Sequence, residues 1–205
     1  MSSSVLQRYW VLVDDVVAEF YEKAFARINE LLSSGECDGN YLSYSSFGVY
    51  NALTACVMGS FYTILGYYAP KIMAVFFRGV KPLPPPFSFE GFLPDGTELQ
   101  VKVVVSRKSL NSTLRNRVVQ ESHAYVNPVI LTLEEDEAFG ALQLTQRLTW
   151  YDAYLSWRLV SGDPNGLRVF RTIYRSRAKE FRDRVRAVIK AYADRKYAEF
   201  LGNTK

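Results

Sequence analysis

Arg171, Arg175, Lys179, Arg182, Arg186 and Lys190 recur at spacings of four, four, three, four and four. On an α-helix, positions three and four apart share a face, so these six cations form one stripe. Such a row can meet successive phosphates of a polyanion, which demands positive charge and reach but no group able to read a base edge. Phe170, Tyr174, Phe181, Val185, Val188 and Tyr192 make an adjacent apolar stripe that can seat the helix on the rest of the protein. Arg177, Arg184 and Arg195 border the other edge of that seam, and Glu180, Asp183 and Asp194 fall on the remaining side. Arg168 opens the basic run, and from there to Leu201 the chain has no Asn or Gln. Contact without regard to base sequence is therefore expected, with Arg168, Arg177 and Arg184 added to the six as candidate ligands. The competing role is a solvated basic helix paired with an acidic helix of this chain or of another subunit.

The charge distribution sharpens this reading. Overall the 205 residues carry 25 basic and 21 acidic side chains, a formal net of +4. Residues 166–205 hold 12 of the basic and 4 of the acidic ones, a net of +8, which leaves −4 for the rest. A second basic group, Arg107, Lys108, Arg115 and Arg117, lies among polar Ser109, Asn111 and Ser112. It either widens a groove for a duplex or forms an ordinary solvated surface.

Other chemistry finds little support. His123 is the one histidine, flanked by Ser122 and Ala124, and it reads as a surface or packing residue. Cys37 and Cys56 form no CxxC pair and fall short of four zinc ligands with His123, so both are expected as free thiols. The chain has no GxGxxG after a strand, no GxxxxGK[ST], no HExxH and no GxSxG. The run Glu134, Glu135, Asp136, Glu137 falls in the first turn of an expected helix, where carboxylates complement the helix dipole. No enzyme, metal or cofactor is expected.

The elements that must hold these residues are mostly helical. Residues 5–32 repeat apolar side chains every three or four positions and predict a long helix, roughly 40 Å at 1.5 Å per residue, made acidic by Asp14, Asp15, Glu19 and Glu22. It stops at Ser33-Ser34-Gly35, and 37–40 is loop chemistry. Ser45 or Ser46 is the expected cap of a second helix toward Phe77, kinked or restarted at Pro70. Residues 80–86, four of them proline, should break regular structure, and Pro94-Asp95-Gly96 predicts a β-hairpin between 87–93 and 97–105. A short helix from Ser109 or Ser112 to about Tyr125 follows. A capping box at Thr132 and Glu135 then opens a long helix over 133–160, with Phe139, Leu142, Leu148, Tyr151, Leu155 and Leu159 apolar. A tight turn at 161–166 should fold the last helix, 166–201, back on its predecessor.

The fold class expected is thus mainly α, a long-helix bundle with a small β-hairpin insertion. Its regions are an N-terminal helical one (1–79), the proline-rich connector and hairpin (80–106), and a C-terminal helical one (107–205). Hydrophobic residues at 48% allow a real core, and 15% aromatics favour large packed surfaces, including surfaces between subunits. Residues 41–70 hold no charge and pass the length test for a membrane span, yet Asn51, Thr54, Ser60, Thr63 and the four tyrosines Tyr50, Tyr62, Tyr67 and Tyr68 dilute them. Gly48, Ala52, Ala55, Gly59, Thr63 and Gly66 share one face of that helix, where another helix can approach closely. A buried core helix is the expectation. The N-terminus lacks the basic and apolar regions of a secretory signal, so the mature chain is expected to start at Met1.

Long helices, a basic helical face, a small β excursion and no catalytic motif together resemble the major capsid proteins of filamentous and rod-shaped archaeal viruses. The likeness is architectural, covers the helical parts and has no diagnostic motif. In that family, helix-rich subunits, often two related proteins, wrap linear double-stranded DNA in the A form, and some members carry a lipid envelope. The resemblance implies a virion structural protein, assembled in the host cytoplasm, with partners of double-stranded DNA and of itself or a paralogous coat subunit in a helical filament. An envelope would be neighboured, not spanned. Arg171, Arg175, Lys179, Arg182, Arg186 and Lys190 would face the DNA, and the hairpin would decorate the outside or an intersubunit contact. The acidity of the first helix departs from this picture. Two other classes stay open, a membrane-associated structural protein with the helix at 47–69 inserted and the basic helix on anionic headgroups, and a cellular DNA-binding scaffold.

Overall fold

The structure, a computed structural model, describes residues 1–105, 112–133 and 146–202. Among them six helices and five strands follow in the order α1 (Ser3–Ser34), α2 (Tyr41–Phe47), α3 (Val49–Ala74), β1 (Arg78–Pro82), β2 (Phe89–Phe92), β3 (Glu98–Val104), α4 (Ser112–Ser122), β4 (Pro128–Thr132), β5 (Gln146–Thr149), α5 (Trp150–Ser161) and α6 (Gly166–Gly202). The protein is mainly helical with a small sheet. It divides into two compact units: one is Met1–Val16 with Gly66–Arg171, the other Val17–Leu65 with Thr172–Lys205.

The first unit is built on a sheet of order β1-β2-β3-β4-β5. Its hairpin is the expected one, with Phe89 opposite Val101 and Phe92 opposite Glu98. Gly96 takes φ +92° in the turn, a region open to glycine, and Asp95 Oδ1 accepts from the Thr97 amide at 2.9 Å. The sheet extends beyond that hairpin on both sides. Arg78–Pro82, placed by the sequence in or beside a structureless connector, is an exposed edge strand antiparallel to β2. Proline is tolerated there because an edge strand has one side without ladder partners. On the far side β4 and β5 run parallel to β3, with α4 crossing between β3 and β4.

The expected helix over 133–160 is corrected accordingly. Pro128–Thr132 is a wholly buried strand, Gln146–Thr149 forms a further strand, and among the described residues of this stretch the helix occupies Trp150–Ser161. Thr132 is the last residue of a strand; Glu135, the acidic run, Phe139 and Leu142 lie outside the described residues. A central parallel strand is buried on both faces and reads as a continuous apolar run, so Val129-Ile130-Leu131 showed no alternation to betray it. The helix also buries Ala153, Tyr154 and Trp157 while Leu159, expected inside, is 86% exposed.

α4 covers one sheet face through Val118, packed with Phe87, Val104 and Ile130. Elsewhere in this unit an aromatic cluster joins the first turns of α1 to α5: Tyr9 stacks on Trp157 at 4.7 Å, and Phe76 meets Tyr154, Trp157 and Phe170. Trp10 Nε1 donates to Asp163 Oδ2 at 2.9 Å. Gly166 lies against Trp157 and Phe170 stacks with Trp150, so the start of α6 runs antiparallel to α5, as the turn at 161–166 predicts.

The second unit packs the C-terminal half of α1, α2, the first half of α3 and most of α6 around one core. Ile28, Leu31, Leu32, Cys37, Val49, Leu53, Val57, Val185, Ile189, Tyr192 and Ala193 are its buried residues. Asn40, not Ser45 or Ser46, is the cap: its Oδ1 accepts from the Ser43 amide at 2.9 Å and opens the short α2. Gly48 at φ +76° ends α2, so the expected single helix is two. α3 then continues across Pro70 to Ala74.

Two further corrections concern this unit. Cys37 and Cys56 are not free thiols but a disulfide, with Cα atoms 5.6 Å apart. Nothing in a spacing of 19 residues announces this; the turn after α1 brings Cys37 onto α3. The small-residue face of α3 is also not buried. Ala55, Gly59 and Thr63 are exposed, a Cβ at Gly59 would meet nothing within 4 Å, and only 17% of the most apolar stretch of α3 is buried.

Candidate nucleic-acid interface

α6 is continuous over 37 residues because no proline or glycine interrupts 167–201 and its length is rich in Ala, Arg, Lys and Glu. Ion pairs one turn apart, Arg177 with Glu180 at 3.9 Å and Lys196 with Glu199 at 3.1 Å, add modest support. The apolar seam read from the sequence is the face that packs. Val185, Ile189 and Tyr192 are buried in the core of the second unit, and Phe181 lies between Tyr21 of α1 and Phe61 of α3.

This seating separates the basic residues into two classes. Arg184 lies on the edge that meets α1, where it makes a bidentate pair with Glu22 and stacks over the Phe25 ring at 3.9 Å. The pairing holds the Glu22 carboxyl below its ordinary range, first through the hydrogen bond from Arg184, and raises the guanidinium in turn. Arg177 is held by Glu180, and Arg195 lies over the Tyr192 ring at 4.6 Å. These residues, two of them candidate ligands, are engaged within the chain.

Arg175, Lys179, Arg182, Arg186 and Lys190 are different. All five are exposed on α6 in the second unit, and none forms an ion pair among the described residues. They lie along the edge of the core face opposite Arg184, and the 15 helical rises from Arg175 to Lys190 span about 22 Å. Arg168 and Arg171, likewise exposed and without an ion pair among the described residues, lie on the part of α6 that belongs to the first unit. Acidic α1 therefore neutralises one edge of α6 through Glu22 and leaves the stripe uncompensated.

The second basic group divides similarly. Arg117 pairs with Glu121 at 3.2 Å and donates to the Pro85 carbonyl, Arg115 is half-buried on α4, and Arg107 and Lys108 lie outside the described residues. His123 is exposed, and no group of three or more potential metal ligands occurs among the described residues.

One residue of consequence escaped the sequence reading. Asp38, in what reads as plain loop, accepts from the Tyr192 hydroxyl at 2.9 Å and pairs with Lys196 Nζ at 2.7 Å. It thereby fastens α6 to the loop that holds Cys37. Burial, with the Asp38 contact second, pushes the Tyr192 phenol up, and the same carboxylate raises Lys196. Asp38 beside Gly39 carries no signal except its turn chemistry, because its partners lie more than 150 residues away.

No protein-family model and no curated protein matches the chain in sequence.

Proposed function

We propose that this protein packages nucleic acid, binding double-stranded DNA through backbone contacts from α6, in the manner of the helical-virion coat proteins it resembles. The observation that carries the reading is the exposed row Arg175, Lys179, Arg182, Arg186 and Lys190, without an ion pair among the described residues, on a helix whose other edge is neutralised internally. Five like charges held in one row repel one another, and a polyanion relieves that repulsion while releasing its own counterions. The absence of Asn and Gln along the helix fits recognition of phosphate alone. Coat function adds self-association in a filament, with the same subunit or a paralogue as neighbour.

The test is binding of random-sequence duplexes. The protein should bind all of them alike and shield them from nuclease, and Arg175→Glu with Arg182→Glu and Arg186→Glu should weaken every duplex equally. Strong preference among sequences, or full affinity in the triple variant, would remove the stripe from the reading.

One observation favours a second reading, a membrane-associated structural protein. α3 is long and apolar enough to cross a bilayer, and Tyr62 and Met58 are among the large side chains it exposes. Partition of the wild-type chain into a detergent phase, with lipid required for solubility, would favour this reading over the first.

A further inference from the structure

The exposed cations of α6 depend on the seating of that helix, to which one loop adds a tether at Tyr192 and Lys196. Gly35 to Asn40 has no helix or strand beyond its turn. Within it Cys37 is bonded to Cys56 of α3, Asp38 holds Tyr192 and Lys196 of α6, and the Gly39 amide donates to the Tyr44 hydroxyl at 2.8 Å. Tyr192 lies two residues beyond Lys190 and six beyond Arg186, the last cations of the row. One covalent bond thus joins α3 to Cys37, whose chain neighbour Asp38 grips α6 at Tyr192 and Lys196.

We propose that the Cys37–Cys56 disulfide is a redox-controlled clasp on α6, so that its oxidised form presents the distal cations of the row and its reduction releases them. The inference rests on the phosphate-binding reading of the stripe and adds its regulation.

The chemistry requires a dithiol reductant. One thiolate of the dithiol attacks Sγ of Cys56, which is only partly buried, whereas Cys37 is buried. The Cys37–Cys56 bond breaks, its electron pair leaves on Cys37 as thiolate, and a mixed disulfide forms at Cys56. The second thiolate of the reductant then attacks the reductant's own sulfur in that mixed disulfide and expels the Cys56 thiolate. Two electrons pass to the protein, two protons from the dithiol end on Cys37 and Cys56, and the reductant becomes a cyclic disulfide. Without the bond, the loop loses its covalent tie to α3, and Asp38 no longer has a fixed place from which to hold Tyr192 and Lys196.

The test compares oxidised protein, dithiothreitol-reduced protein and the reoxidised sample, with Asp38→Asn as a variant that keeps the disulfide. Amide hydrogen exchange over 186–199 reads the clasp without any nucleic acid, and random-sequence duplex binding across salt concentrations reads its consequence. Reduction should speed exchange there and flatten the log–log salt slope by about 0.9 for each cation lost, up to about 1.8 for Arg186 and Lys190. Reoxidation should restore both, and Asp38→Asn should reproduce part of the change. Equal exchange and equal slope in the oxidised and reduced forms, with both binding duplex, overturns the clasp and leaves the stripe standing. Failure of every form to bind duplex overturns the stripe reading and the regulation built on it.

Discussion

Salt dependence is the quantity that most directly counts the phosphates this protein grips. Five exposed cations without an ion pair among the described residues lie on α6 in the second unit, and at about 0.9 per contact they predict a log–log slope near −4.5 for duplex binding. With five contacts, raising salt from about 50 to about 200 mM should weaken binding about 500-fold. Reversing Arg175, Arg182 and Arg186 to Glu leaves two contacts, a slope near −1.8 and a loss of only about twelvefold over the same range. A second variant, Arg177→Gln with Arg184→Gln, also removes positive charge from α6. Its residues are already held by Glu180 and Glu22, so its slope should stay within about one unit of the parent. Fluorescence anisotropy of a labelled random duplex, titrated at several salt concentrations, measures all three. If the Arg177 and Arg184 variant flattens the slope as much as the triple reversal, total charge and not the row is being read. If the triple reversal keeps a slope near −4.5, the row is not the contact.

Other predictions concern the scaffold. Leu53 is fully buried in the core of the second unit, so Leu53→Ala should cost about 2–5 kcal/mol in chemical denaturation, with loss of duplex binding following the loss of fold. Because Arg184 holds folded Glu22 below its ordinary value of 4.5, that pair stabilises above about pH 4.5 and its contribution fades as pH falls through the lowered value. Glu22→Gln should flatten this acid limb while changing neutral-pH stability by less than about 1 kcal/mol, as for an exposed pair; an unchanged limb would argue against the pairing. Gly59→Leu, which a buried small-residue face would have punished, meets open space and should be neutral or up to about 1 kcal/mol stabilising in the isolated chain through helix propensity. Strong destabilisation measured on monomeric protein would contradict the exposure of α3.

Much of the local structure was legible in the residues themselves. The stripe, the apolar seam beside it, the limits of α1 and α6 and the turn at Pro94-Asp95-Gly96 depend on side-chain period and turn chemistry, which act over a few residues. Short-range rules of that kind place Arg175 and Arg184 on different edges of one helix. They do not say which edge meets a partner: Arg184 is spent because Glu22 and Phe25, more than 150 residues away, pack beneath it. Three other features were decided only by long-range packing. Val129, Ile130 and Leu131 became a central strand because β3 and β5 flank them. Cys37 and Cys56 became a disulfide because the turn after α1 lies on α3, and the small residues of α3 were left outside because Leu53 and Val57 turn another face to the core. Periodicity fixes which side chains share a face of an element, whereas the burial, pairing or freedom of that face depends on which distant part of the chain comes to lie against it.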